Sequence, residues 1–186
     1  MMQVRDVGMG VLEITPMRFG DQRGFFAETW RRDRFRAVGI AEEWVQDNQS
    51  LSAERHVLRG LHFQKAPQAQ AKLVRVLRGS IFDVAVDVRP HSATFGRRVS
   101  CTLSAEAFNQ LYIPAGFAHG FLTLAPNVEV LYKVSAPYAP DCERSIAWND
   151  RELAIDWPLP GGEQPLLSTK DAAAPPLSAT KSELQF

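Results

Sequence analysis

The stretch from Lys72 to Arg89 most constrains what this chain can become. Val74 and Val76 alternate with Arg75, and Val84, Val86 and Val88 alternate with Asp83, Ala85 and Asp87. A period of two sends successive side chains to opposite faces, which marks β-strands. Between the two runs, Arg78-Gly79-Ser80 supplies the short Gly-containing break that closes a hairpin. Further short apolar runs occur at Gly10 to Ile14, Gly24 to Trp30, Val99 to Leu103, Gln110 to Ile113, Phe121 to Leu124 and Val128 to Val134, each bounded by turn-forming residues. Many short, turn-punctuated strands indicate an all-β fold, a jelly-roll sandwich or barrel. Helical signals are few: Asp33 is placed to cap a short helix through Phe35 and Val38 that ends at Gly39, and Ser104 to cap Ala105 to Phe108. Beyond Pro158 the composition turns to Pro, Gly, Ala and Ser. Residues 1–158 therefore read as one domain, and 159–186 as a C-terminal extension that packs on it and is partly loose.

Composition narrows the function. A chain of 186 residues, 45% apolar, suffices for one core without a metal or disulfide staple. The uncharged stretch Asn109 to Pro126 contains Asn, Gln, Pro, Gly and His, so it is no membrane span. Met1 to Asp6 lacks the pattern of a signal peptide. A cytoplasmic location with no membrane partner is the expectation, and Cys101 and Cys142 are expected to be reduced structural thiols. Twenty-one basic against 21 acidic side chains argue against nucleic acid as a partner. Residues 1–78 hold 13 basic and 9 acidic side chains, a tilt that suits a small anionic ligand but equally an ordinary solvated surface.

Pro114-Ala115-Gly116-Phe117-Ala118-His119 resembles the second half of the cupin signature, whose His is a ligand in metal-binding cupins. The first half calls for two His, a Glu and, seven residues later, a Gly. Here Gly60-Leu61-His62-Phe63-Gln64 is followed by Lys72 and Gly79, so Gln64 replaces a His and Lys72 replaces the Glu. An ammonium repels a divalent cation and offers it no lone pair, so no metal and no other cofactor is expected. What remains suits proton transfer. An imidazole is the side chain best suited to act as a base at neutral pH, which makes His62 a candidate, although a histidine bonded within the core is an equally ordinary reading. Lys72 shares a strand face with Val74 and Val76, and a lysine on an inner face implies an anion or a carbonyl to polarise. Tyr132 stands in an apolar run as an ordinary buried phenol or a proton donor.

Six blocks carry a closer resemblance: Asp21 to Glu28, Gln46 to Ser50, Leu58 to Gln64, Gln70 to Val76, Ile113 to Phe121 and Leu131 to Lys133. In this order they are similar to the dTDP-4-dehydrorhamnose 3,5-epimerases, from about residue 5 to Asp171. The resemblance implies a metal-free cupin jelly roll, usually a homodimer. It also implies inversion of C3 and C5 of dTDP-4-dehydro-6-deoxy-D-glucose on the way to dTDP-L-rhamnose. It further implies His62 as base with Asp171 orienting its ring, Lys72 as the cation at the enolate oxygen, and Tyr132 as the acid on the opposite face. By the same resemblance Arg23 and Arg59 hold the diphosphate, and Tyr138 stacks on thymine. Phe25, Glu28, Gln46, Asp47, Asn48, His119, Glu143 and Lys170 are further substrate contacts. The chain departs from the family pattern at Phe63, at Ala136 and Pro137, and at Ser145 and Ala147. Three alternatives stay open on sequence: an epimerase of C3 or C5 alone, a metal-dependent cupin enzyme, and a noncatalytic nucleotide-sugar binder.

Overall fold

A computed structural model describes residues 2–184 and 186; Met1 and Gln185, which fall in the expected domain and its extension, lie outside the described residues. Thirteen strands are seen among those residues: β1 (Gln3–Gly8), β2 (Val11–Thr15), β3 (Phe19–Asp21), β4 (Gly24–Phe26), β5 (Gln46–Ser52), β6 (Leu58–Gln64), β7 (Lys72–Arg78), β8 (Ser80–Asp87), β9 (Arg98–Ser104), β10 (Gln110–Ile113), β11 (Phe117–Thr123), β12 (Val128–Val134) and β13 (Glu143–Ser145). They form a six-stranded sheet of order β1-β2-β10-β7-β12-β5, a five-stranded sheet of order β13-β6-β11-β8-β9, and the separate hairpin β3-β4. All sheet neighbours are antiparallel. The result is a cupin-type jelly roll.

Three apolar clusters hold it together. Between the sheets, Val74, Val76, Leu111 and Val130 of the larger sheet meet Ile81, Ala85, Leu103, Phe117 and Phe121 of the smaller. Outside the smaller sheet, Val84, Val86 and Val88 pack under Trp157 and under Leu177 and Leu184 of the C-terminal segment. Outside the larger sheet, Leu73 and Tyr112 lie under Phe35 and Ile40. Strand β8 is thus buried on both faces: its valines face the C-terminal segment, while Asp83, Ala85 and Asp87 are also fully buried. Each fully buried aliphatic side chain of this kind stabilises the fold by about 1.5–3 kcal/mol.

The C-terminal segment is pinned by specific bonds. Leu166 donates its N–H to the His56 carbonyl at 2.8 Å and accepts from Leu58 N–H at 3.0 Å, adding a short stretch beside β6. Buried Asp150 accepts from Leu177 N–H at 2.7 Å. Between these anchors lies α2 (Thr169–Ala172), and the second anchor opens α3 (Leu177–Thr180).

Local expectations are corrected in two places. The helix α1 (Arg32–Arg36) has Arg31, not Asp33, at its N-cap, and Asp33 sits inside the first turn bonded to Arg31 Nε at 2.6 Å. The paired strand in the 24–30 run ends at Phe26, because its partner β3 has only three residues. Ser104 Oγ does accept from Ala107 N–H at 2.9 Å, but what it caps is a turn. Cys101 and Cys142 are both buried free thiols. Burial and the neighbouring Glu13 carboxylate push the Cys101 thiol up to about 12, which makes it unreactive.

Candidate active site

The site forms where β6, β7, β11 and β12 turn their inner faces toward one another and the C-terminal segment closes the rim. His62 on β6 stands opposite His119 on β11. The register between those strands shifts at Gly120, and the two backbones approach closely there. A Cβ on Gly60 would lie 2.5 Å from Gly120 Cα and 2.7 Å from the His119 carbonyl, and Gly60 has φ +123°. Only glycine permits both the conformation and the approach, so Gly60 fixes the two histidines relative to each other. Lys72 enters from β7 on the face shared by Val74 and Val76, and Tyr132 enters from β12.

His62, Lys72, Tyr132, Arg59, His119, Lys170 and Asp171 line a cavity of about 560 Å³. A smaller adjoining cavity shares His62, Lys72 and Tyr132 and is lined further by Gln46, Asn48, Tyr138 and Glu143. Eleven of the sequence-derived residues therefore converge on one depression, with the three proton-handling groups at its centre. Arg23, Phe25, Glu28 and Asp47 do not join them within this chain. Arg23 is 89% exposed on the β3-β4 hairpin and pairs with Asp21. Phe25 meets Phe108 edge-on at 5.3 Å, Glu28 pairs with Arg34 at 3.1 Å, and Asp47 pairs with Lys133 at 2.9 Å. For Asp47 the reason is the strand period: Gln46 and Asn48 face the cavity, so the residue between them faces away.

The electrostatics separate the roles. His62 Nε2 lies 2.5 Å from Asp171 Oδ1, and the other Asp171 oxygen accepts from Ser168 Oγ at 2.9 Å. Burial raises the Asp171 pKa, but the bonds from His62 and Ser168 and the Lys170 charge outweigh it and hold the carboxyl below its ordinary range. Lys72 is 7% exposed, and burial lowers its pKa to about 8 against the opposing pull of Glu143. Burial likewise raises the Tyr132 pKa, only partly countered by Arg59, so the phenol keeps its proton at neutral pH. At the rim Lys170 Nζ pairs with Glu143 Oε1 at 2.6 Å, and Glu143 also accepts from Tyr138 OH at 2.9 Å. Those two bonds overcome the effect of burial and keep Glu143 ionised.

Several residues contribute in ways that the sequence did not show. Asp83, 0% exposed, holds His119 Nε2 through both oxygens at 2.9 and 3.0 Å. Gln64, at the cupin ligand position, instead donates to the Gln68 and Pro137 carbonyls and accepts from Ala139 N–H. Ser168, Leu166 and Phe121 complete the cavity wall. A metal would need a cluster of donors, and among the described residues no group of three or more His, Cys, Asp or Glu is placed to hold one.

A jelly roll whose interior presents an imidazole–carboxylate pair, a buried ammonium and a protonated phenol belongs to the class of isomerases that move protons beside a carbonyl. The model of the dTDP-4-dehydrorhamnose 3,5-epimerase family matches residues 8–179. The chain is 52% identical over 166 residues to the Salmonella typhimurium dTDP-4-dehydrorhamnose 3,5-epimerase, covering 89% of each chain. It is 54% identical over 162 residues to that of Pseudomonas aeruginosa, covering 87% of each. The structure matches a dTDP-6-deoxy-D-glucose-3,5-epimerase from Legionella pneumophila, solved with dTDP-4-keto-L-rhamnose, at TM-score 0.93 and 45% identity, over 100% of this chain and 99% of that one. This chain belongs to the dTDP-4-dehydrorhamnose 3,5-epimerase family.

Proposed function

We propose that the chain is the isomerase that converts dTDP-4-dehydro-6-deoxy-D-glucose to dTDP-4-dehydro-L-rhamnose by epimerising C3 and C5, on the route to dTDP-L-rhamnose. The observation that carries this is the meeting of His62, Lys72 and Tyr132 on the wall shared by both cavities. C3 and C5 both flank the C4 ketone, so one electrophile serves both centres. Asp171 occupies His62 Nε2, which leaves Nδ1 to take the proton from carbon. As that C–H bond breaks, its electron pair moves into the enolate and the developing oxygen charge is met by the Lys72 ammonium. A preorganised charge of this kind lowers a barrier by about 3–4 kcal/mol. Tyr132 then gives its phenolic proton to the carbon from the opposite face, which inverts the centre. His62 returns its proton to solvent and the Tyr132 phenolate takes one back, so nothing is consumed. No cofactor enters this cycle.

Arg59 and Lys170 at the rim suit the diphosphate, and Tyr138 suits the base. Arg23, Phe25 and Glu28 stand on or beside a hairpin that reaches away from their own cavity, and Phe26 there is 72% exposed. A homodimer in which this hairpin serves the partner's cavity accounts for both facts. The substrate is a small soluble nucleotide sugar, which fits a cytoplasmic enzyme, and among the described residues no helix is long and apolar enough to cross a membrane. The test is direct. Purified protein mixed with the 4-keto sugar nucleotide should yield the L-rhamno product, identified by ring-proton couplings, and an unchanged substrate spectrum would refute the assignment.

A further inference from the structure

Lys72 must aim a charge, and a lysine side chain is a flexible stem ending in three equivalent donors. Among the described residues its ammonium has one hydrogen-bond partner, Gln70 Oε1 at 3.0 Å. Gln70 is 9% exposed, and its Nε2 donates to the Ala136 carbonyl at 2.8 Å. A carbonyl can only accept, so the amide cannot flip without setting oxygen against oxygen at Ala136 and NH2 against an ammonium at Lys72. The orientation of Gln70 is therefore fixed by the chain at Ala136. That chain is itself tied down: Ser135 Oγ accepts from Ala71 N–H at 2.8 Å, and Ser135 N–H donates to the Ala71 carbonyl at 3.1 Å. Two residues on stands Tyr138, whose N–H donates to Gln46 Oε1 at 3.0 Å.

We propose that Gln70 is a positioning residue that holds the Lys72 ammonium through Oε1 and the Tyr138 loop through Nε2, coupling the seat of the nucleotide to the aim of the cation. The inference rests on the epimerase reading for what Lys72 does, but not for how Lys72 is held. The two bonds that hold the loop do not depend on the side chains at Ala136 and Pro137. Gln70 and Gln64 grip these two residues by their main-chain carbonyls, which any residue supplies. The other charged or titratable groups around Lys72 are Glu143 from β13, His62 from β6, His119 from β11 and Tyr132 from β12, with Tyr138 from the loop before β13 and Arg59 and the α2 residues Lys170 and Asp171 at the cavity walls.

The experiment reads Lys72 without substrate. Protein carrying 13Cε-lysine has five such residues, and Lys72→Met identifies the resonance of interest. Its titration is then followed in Gln70→Glu, which places a carboxylate on the ammonium, and in Gln70→Met, which removes the acceptor at similar volume. The midpoint should rise by about one unit or more in Gln70→Glu and fall in Gln70→Met. Gln64→Met, which loosens the same loop without touching Lys72, should leave it in place. Kinetics supply a second reading. Gln70→Met should lower kcat about tenfold and raise KM, as expected for one lost bond to a charged group, whereas Gln64→Met should raise KM alone. Midpoints that do not move in the two Gln70 variants, or that move in the same direction, overturn the proposal. If wild-type protein fails to turn over the sugar nucleotide while the midpoints shift as described, the epimerase reading fails and the role of Gln70 stands.

Discussion

Replacing Asp171 with Asn tests the dyad at the level of single atoms. The carboxylate is 4% exposed and both its oxygens are engaged, one 2.5 Å from His62 Nε2 and one accepting from Ser168 Oγ. Ser168 Oγ already accepts from Asp171 N–H, so its own proton is committed to the carboxylate. An asparagine must therefore offer its oxygen to Ser168 and its NH2 to His62. That NH2 forces Nε2 to be the acceptor and puts the ring proton on Nδ1, the atom required as base. The imidazolium formed after proton abstraction also loses its counter-charge. One hydrogen bond to a charged group is worth about 1.5–3 kcal/mol, which corresponds to roughly 10- to 150-fold in rate. With burial keeping water from substituting, kcat should fall by about 100-fold. The fold should persist and KM should change little, because Asp171 stands behind His62. Stopped-time incubations with the sugar nucleotide, read by NMR, give both constants. A variant with wild-type kcat would refute the dyad.

Lys72→Met should lower kcat by about 10²–10³, the loss of one preorganised stabiliser of the oxyanion, while thermal unfolding shows a protein at least as stable, since the buried ammonium is a cost to folding. Activity should fall as pH rises through about 8, where Lys72 loses its proton. Stability follows the opposite sign: the folded pKa lies below the unfolded one, so the unfolded state binds more protons between the two values and stability rises with pH across that window. Tyr132→Phe should impair inversion more than solvent exchange, because abstraction by His62 survives and return from the far face does not; equal impairment of both would remove Tyr132 as the acid. Gly60→Ala should destabilise by about 2 kcal/mol or more, given the φ of +123° and the 2.5 Å approach to Gly120, and an unfolding curve matching the wild type would contradict the close crossing.

The central strands were legible because their burial imposes a pattern. Lys72 to Arg78 and Ser80 to Asp87 pack against core on one face or both, and hydrophobic periodicity records that pressure directly. β1 and β5 show no such pattern because both lie at sheet edges, where Gln3 to Asp6 and the exposed positions of Gln46 to Ser52 carry no such pressure. Lys72 stood out for the same reason in reverse, as a charge on an apolar face. Asp83 and Gln70 could not be singled out, since their importance lies in partners 36 and 66 residues away, and Gln64 was visible only as a missing metal ligand because the Pro137 carbonyl it grips is 73 residues away. The small polar residues after Pro158 concealed how Leu177 and Leu184 pack into the core and how Ser168 presents Asp171 to His62. Arg23, Phe25 and Glu28 were readable only through resemblance, and within one chain they remain apart from the cavity.

The most direct measurement is solvent exchange at the two stereocentres. Wild-type protein is incubated with dTDP-4-dehydro-6-deoxy-D-glucose in deuterated water, and the sugar protons are followed by NMR. Because His62 releases its proton to solvent and Tyr132 is recharged from it, deuterium should enter at both C3 and C5 of the inverted product. Deuterium at one carbon alone would contradict the double epimerisation, and none at either carbon would contradict proton transfer by this site altogether.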